Sequence, residues 1–421
     1  MSAPWWERDG DVCWHPYTQH GVEETLLPVT GAQGAWLELA DGRRMLDAVS
    51  SWWACLHGHG HPRLVEAIAT QAATLDHVLF AGCTHEPAVR LAERLAAAAP
   101  AGLTRTFFSD DGSTAVEVAL KACYSAAARR GEKERTLFVA LEGGYHGDTF
   151  GAMAVGDPDP FFDEFGSLLF RVVRAPPDAA ALEALMAEHG AQTAALILEP
   201  IVQGAAGMQS VAPDVVRAAR RLCDEHGAFL VADEVMTGFG RTGTLFACEQ
   251  AGISPDALCL SKGLTGGMLP LSATLFTESI FEAFRSEDRG RMFFHGHTYT
   301  GHAIGCAVAL ASLDVVEADD TPARFEAIGA RVSARLDALL PDDGSVQRRR
   351  FGGIVVVELD GDGGYLDAAG PRLKAACRTH APDVLLRPLG SVLYSLPPAC
   401  TTMEECDLIA ERMAAVLTAA R

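Results

Sequence analysis

With 421 residues, the chain is long enough to bury the core of one large or two medium domains. Its 55 acidic and 34 basic side chains give a formal net charge of −21, and no basic run is long enough to track a phosphate backbone, which disfavours nucleic acid and anionic membrane as partners. No stretch approaches the ~18 apolar residues of a membrane span, and the start "MSAPWWERDGD" has neither the basic flank nor the apolar core of a secretory signal, so a cytoplasmic enzyme is expected. The eleven cysteines are odd in number, none spaced CxxC, and most stand in apolar surroundings, as reduced buried thiols would.

In chain order, "GAWLELADGRRMLD" reads as a hairpin, followed by "SSWWACLHGHGHP", where two tryptophans precede three alternate histidines. From about residue 63 to 320, apolar runs alternate with Ala-rich amphipathic segments, the rhythm of a mainly parallel sheet covered by helices. The candidate strands are "TRTFF", "TLFVAL", "TAALIL", "AFLVAD", "DALCLS" and "LSATLF". The first five each run into a polar or glycine-rich cluster: "SDDGST", "EGGYHGDT", "EPIVQG", "DEVMTGFGRTG" and "KGLTGG". Ligands of open parallel sheets sit at the carboxyl ends of strands, so the five clusters mark one crevice. The acidic "EADDTPAR" marks a boundary, after which "GGIVVVELDGDGG" and "GSVLYSLPP" read as strands among helices. The expected fold class is α/β: a large domain over 63–322, and a smaller α+β domain assembled from 1–62 and 323–421.

Of the four lysines, Lys121, Lys133 and Lys374 read as solvated, whereas Lys262 ends an apolar strand before a glycine-rich turn. Partial desolvation there lowers its pKa and makes it a nucleophile toward carbonyls. Asp233 ends another apolar strand, and a buried acid needs a cationic partner such as a pyridinium nitrogen; capping of the next helix is the alternative. "SDDGSTAVEVALK" opens a helix with Gly112 and Ser113, and with Thr114 and Glu117 at capping-box spacing, a setting that favours an anion. Tyr145 in "GGYHGDTFG" is placed to lie against a heterocycle or to pack on the sheet.

Together, "DDGSTAVEVALK", "GGYHGDTFGAM", "EPIVQG", "VADEVMTGFGRTG", "CLSKGLTGGMLPLSAT" and "HGHTYTGH" resemble the class III aminotransferases, over nearly the whole chain. The resemblance implies the fold of type I pyridoxal-phosphate transferases. It implies Lys262 as the residue that bonds the cofactor, Asp233 at its ring nitrogen, Gly112 and Ser113 at its phosphate, and Tyr145 stacked on its ring. It also implies a homodimer with shared active sites, in which Thr298, from the loop that carries Gly296, reaches the partner's phosphate site. "HGHGHP" resembles a family turn element, and with no carboxylate expected near His57, His59 and His61, no metal is expected.

Tyr17 in "WHPYTQ" and the pair Trp52 and Trp53 resemble one branch of the family, the diaminopelargonate synthases of biotin biosynthesis. These move an amino group from S-adenosylmethionine to 8-amino-7-oxononanoate in two half-reactions. Electron-rich aromatic walls suit a sulfonium and an adenine. Within that resemblance Tyr17 is a catalytic and substrate-side residue, Arg387 offers a fork to a carboxylate, and Tyr394 stands on the substrate side. Ala205 in "QGAAG" replaces a glutamate common in glutamate-using relatives, which disfavours that donor. Met236 stands where many class III relatives have glutamine and His297 where this branch often has proline, and another ω-amine donor, lysine above all, is the rival expectation. Trp5 and Trp6 read as packing residues.

Overall fold

The six apolar runs are strands of a single sheet, and a seventh strand joins at its edge. The computed structural model describes residues 4–22, 26–157, 162–341, 344–360 and 365–421. The strands are β1 (Leu103–Ser109), β2 (Leu137–Leu141), β3 (Val172–Ala175), β4 (Thr193–Leu198), β5 (Phe229–Asp233), β6 (Ala257–Leu260) and β7 (Ser272–Thr277). Their spatial order is β1-β7-β6-β5-β4-β2-β3. Strands β2 to β6 pair in parallel, and β7 runs antiparallel to β6 and β1. Only residues 261–271 join β6 to β7, fewer than the ~12 a parallel crossover needs, so the chain reverses there. The edge strand β3 was not foreseen: it is four residues long and mostly half-buried.

Alternation along the strands feeds two layers. Phe138, Ala140, Ala195, Ile197, Phe229 and Val231 share a core with the helix Gly112–Arg129. Val139, Leu196, Leu198 and Leu230 share another with the helices Ala179–His189 and Pro213–His226. The result is an α/β fold with the sheet between helices. The chain's two ends meet elsewhere: Arg44–Asp47 pairs in parallel with Val384–Leu385, and Val346–Phe351, Ile354–Leu359 and Val392–Ser395 form a second small sheet. Among the described residues no helix is long and apolar enough to cross a membrane.

The cap of Gly112–Arg129 differs from expectation. Asp111, not Thr114, is the N-cap, accepting the Thr114 amide at 2.9 Å, while Thr114 Oγ1 accepts the Asp111 amide at 3.0 Å. Glu117 instead reaches the start of the helix Phe150–Val155, where it accepts from Thr149 Oγ1 and the Gly151 amide, each at 2.6 Å.

The segment Ser50–Trp53 is a single left-handed turn, with φ of 49°, 45°, 68° and 72°. None of the four is glycine, and each such residue costs on the order of 1–2 kcal/mol. Neighbours hold it. Buried Asp47 accepts from Ser51 Oγ at 2.7 Å and from His59 Nε2 at 2.9 Å. Fully buried Arg241 donates to Ser50 Oγ at 3.1 Å, to the Trp53 carbonyl at 3.0 Å and to the Pro397 carbonyl at 3.3 Å. Asp47 corrects the expectation that no carboxylate stands near the histidines: hydrogen bonding to it raises the His59 pKa to about 10. His57, lowered to about 3 by burial, pairs with Ser312 instead. Among the described residues no cluster suited to a metal ion occurs. Trp5 and Trp6, expected to pack, are exposed and touch edge to face.

Arg241→Met leaves the Trp53 and Pro397 carbonyls without their donor, so a loss of roughly 3 kcal/mol or more in unfolding free energy is expected. A shift in the urea midpoint and in tryptophan emission measures it, and a midpoint equal to wild type would show that the turn stands without the clamp.

Candidate active site

A cavity of about 610 Å³ opens at the carboxyl ends of the parallel strands, as the polar clusters led one to expect. Asp233, the last residue of β5, and Lys262, two residues beyond β6, both line it, with Gly112, Ser113, Tyr145 and Trp53. Lys262 has φ 44°, a left-handed conformation that lysine adopts only where its surroundings enforce it. Its Nζ lies 5.3 Å from the centroid of the Trp53 ring and finds no hydrogen-bond acceptor among the described residues. Burial lowers its pKa, while Asp233 and Glu199 push the other way. The amine is thus poised as a base or nucleophile.

Asp233 is held from behind. His146 Nδ1 lies 2.7 Å from Oδ2, and the Val235 amide donates to Oδ1 at 3.1 Å. An ionised carboxylate only accepts, so Nδ1 carries the proton. Glu199, also buried at the cavity wall, accepts the Gly204 amide at 3.0 Å and the Tyr145 amide at 3.1 Å. Burial is the main reason its pKa rises to about 7; His146 opposes that rise and Asp233 adds to it.

At the anion end, the Asp111 cap takes the Thr114 amide, which leaves the Gly112 and Ser113 amides at the helix N-terminus. Gly112 is required by packing, since a Cβ would sit 2.6 Å from Val235 Cγ1. The Ser113 hydroxyl is already engaged with Thr149, at 2.7 Å from Oγ1 and 3.0 Å from the amide.

Tyr17 stands between this cavity and a second one of about 360 Å³, which it lines with Arg387. Its hydroxyl donates to Asp148 at 2.7 and 2.8 Å, and the Tyr145 hydroxyl donates to the same carboxylate at 2.9 Å. Burial above all raises both phenols, so both remain neutral donors. The left-handed turn sends its two tryptophans to different places. Trp53 is buried in the reaction cavity wall, its Nε1 donating to Tyr394 at 2.9 Å. Trp52 stays partly exposed, edge-on to Tyr17 at 5.6 Å and under the Arg387 guanidinium at 4.7 Å.

The sequence-derived residues therefore gather in two groups. Lys262, Asp233, Gly112, Ser113, Tyr145 and Trp53 surround one cavity; Tyr17 and Arg387 line the other, with Trp52 against them. Tyr394 corrects the expectation of a substrate-side tyrosine: it is fully buried, lines neither cavity and props Trp53 from behind. Gly296 and Thr298 are exposed and line neither cavity of this chain. Met236 lines the reaction cavity beside Gly204, and His297 lies 3.4 Å from Asp110. His146, Asp148, Glu199 and Arg241 were not singled out from sequence. All four stand inside the quoted polar clusters; closeness to Tyr145 or Asp233 was the available signal for His146, Asp148 and Arg241, and the end of an apolar strand for Glu199.

A model of the family described as aminotransferase class-III matches residues 17–417. The chain belongs to the class III aminotransferases. It is 46% identical over 419 residues to the adenosylmethionine-8-amino-7-oxononanoate aminotransferase of Synechococcus elongatus, covering 96% of this chain and 98% of that one. The crystal structure of the Methanocaldococcus jannaschii enzyme of the same name superposes with a TM-score of 0.92 at 34% identity, covering 98% of both chains. An amine transaminase from an uncultivated Pseudomonas species, solved in a PLP-bound form, gives 0.89 at 33%, covering 97% of this chain and 99% of its own. This class III aminotransferase thus has the type I fold of pyridoxal-phosphate-dependent transaminases.

Glu199 gives this aminotransferase a pH signature. With its folded pKa raised to about 7 from an ordinary 4.5, the folded chain holds the extra proton between those values, so this group's contribution to stability falls as pH rises through that window. Glu199→Gln removes the slope. The stability of the variant relative to wild type should rise by up to roughly 3 kcal/mol between pH 4.5 and pH 8, read from urea unfolding of the cofactor-free chain. A difference that is flat with pH would refute a buried, proton-holding Glu199.

Proposed function

We propose that this chain uses pyridoxal phosphate to move an amino group from S-adenosylmethionine to 8-amino-7-oxononanoate, yielding 7,8-diaminononanoate in biotin biosynthesis. The observation that carries the reading is the end-to-end similarity to relatives named for that substrate pair. The cavity fits the cofactor on three counts: an amine at Lys262 and two amides at Gly112 and Ser113 that find no acceptor among the described residues, and a carboxylate fixed at Asp233.

When bound, pyridoxal phosphate supplies a conjugated electron sink and a carbon able to carry the transferred amine. Lys262 Nζ, its pKa lowered by burial, takes the proton from the donor's amine-bearing carbon. In the second half-reaction it returns a proton to the carbon that was the acceptor's ketone. Asp233, oriented by His146 and Val235, would face the ring nitrogen and favour its protonated form. The Gly112 and Ser113 amides would hold the phosphate at the helix N-terminus. Trp53 and Tyr145 bound the ring's space and exclude water. Trp52 and Tyr17 offer aromatic surface to a sulfonium and an adenine, and Arg387, stacked on Trp52, presents its N–H edge to a carboxylate.

The same reading makes the chain a cytoplasmic homodimer in which the loop with Gly296 and Thr298 serves the partner's cavity. Its supports are Phe294 and Tyr299, which leave 68% and 55% of their surface exposed on that loop, and eleven cysteines that are all free thiols.

Offering the holoenzyme S-adenosylmethionine, lysine, glutamate and alanine separately tests the donor. S-adenosylmethionine is expected to bleach the visible band of the bound cofactor, and a band bleached by lysine alone would assign the donor to lysine. Lys262→Ala should lose both half-reactions and the wild-type band; retention of either contradicts the role given to that amine. Trp52→Ala should raise the KM for S-adenosylmethionine by roughly 3- to 30-fold, the range of a cation–π contact. An unchanged KM would remove Trp52 from the donor site.

A further inference from the structure

The cavity of about 360 Å³ that Tyr17 and Arg387 border carries basic side chains beyond Arg387 that the reaction above leaves unused. Its lining holds four basic side chains, Arg43, Lys374, Arg378 and Arg387, and no acidic one among the described residues, in a chain whose formal net charge is −21. Arg378 is exposed on the helix Ala369–His380, and neither it nor Arg387 donates a hydrogen bond among the described residues. The carboxylates near in sequence are already engaged: Asp41 holds Arg43 at 2.7 Å, and Asp383 is paired with Arg412 at 2.6 and 2.7 Å. Apart from Tyr17 and Cys377, the rest of the lining is aliphatic, with Leu27, Met45 and Leu386. Cations beside an aliphatic wall suit a carboxylate that carries an apolar chain better than a small hydrated anion. The cavity also adjoins the reaction cavity across a hydrogen-bonded partition. The Tyr17 hydroxyl is bonded to Asp148 and lies 3.1 Å from that of Tyr145, and both of these residues line the reaction cavity.

We propose that this second cavity is a capture site for medium-chain carboxylates, where Arg378 draws in the acceptor's carboxylate and passes it to Arg387. The proposal deepens the substrate reading above and rests on it. A solvent-facing charge of this kind acts on encounter more than on the chemical step, so its removal shows in KM and in salt dependence.

The test uses the holoenzyme and nonanoate, a nine-carbon acid with neither amine nor ketone, titrated by calorimetry at low and high salt. Arg378→Ala is expected to weaken nonanoate binding roughly three- to tenfold, to flatten its salt dependence, and to raise the KM for 8-amino-7-oxononanoate by the same factor with kcat retained. Arg378→Lys should restore most of the loss. Equal nonanoate binding by wild type and Arg378→Ala would overturn the proposal, as would displacement of nonanoate by an equal concentration of inorganic phosphate. Failure of the substrate reading shows separately, as a wild-type enzyme that binds nonanoate through Arg378 yet does not react with S-adenosylmethionine.

Discussion

A lysine amine with no hydrogen-bond acceptor among the described residues, held over the face of a buried tryptophan, is the constraint around which the rest of the molecule is arranged. Burial favours the uncharged form of Lys262, and Asp233 and Glu199 oppose it, so the amine sits where small changes in its neighbours decide its protonation. Both members of this contact are in left-handed backbone, Lys262 at φ 44° and Trp53 at φ 72°. The cost of the turn that carries Trp53 is met by groups that do not themselves line the reaction cavity. Asp47 and Arg241 fasten the turn to the surrounding chain, and Tyr394 supports Trp53 from behind.

The same turn explains why two adjacent tryptophans have different surroundings. One left-handed turn buries Trp53 against Lys262 and leaves Trp52 outside, against Tyr17 and beneath Arg387. Tyr17, Tyr145 and Asp148 then form the partition between those cavities, closed by hydrogen bonds from both phenols to a single carboxylate. A substrate that spans both spaces must displace or thread past this partition, so its strength bears on selection as well as on chemistry.

Much of this was legible in the sequence, and the parts that were not have physical reasons. Strands β1, β2 and β4 to β7 announced themselves because their residues are apolar and β-prone and each of the first five ends in polar or glycine-rich chain; that placed Lys262 and Asp233 at one crevice before any coordinates. Strand β3 lacked the signal, since an edge strand of four residues buries too little to enforce a pattern. The turn at Ser50–Trp53 was invisible because left-handed backbone usually advertises itself through glycine, and here the conformation is imposed by Arg241, remote in sequence. Thr114 and Glu117 had capping-box spacing, but an aspartate one residue before the helix outcompeted them, and Glu117 capped a different helix. Tyr394 stood at the right spacing from Arg387, yet strand alternation turned its ring into the core. Arg378 gave no signal at all, because an exposed helix arginine is common and only the fold brings it beside Arg387.

The central claim is that the amine of Lys262, and no other, bonds the cofactor. Borohydride reduction of the holoenzyme fixes the pyridoxal carbon to whatever nitrogen holds it, and peptide mapping by mass spectrometry then reads the modified residue. The account predicts one label per chain, on the peptide containing Lys262. A label on Lys121, Lys133 or Lys374 with Lys262 unmodified would contradict it.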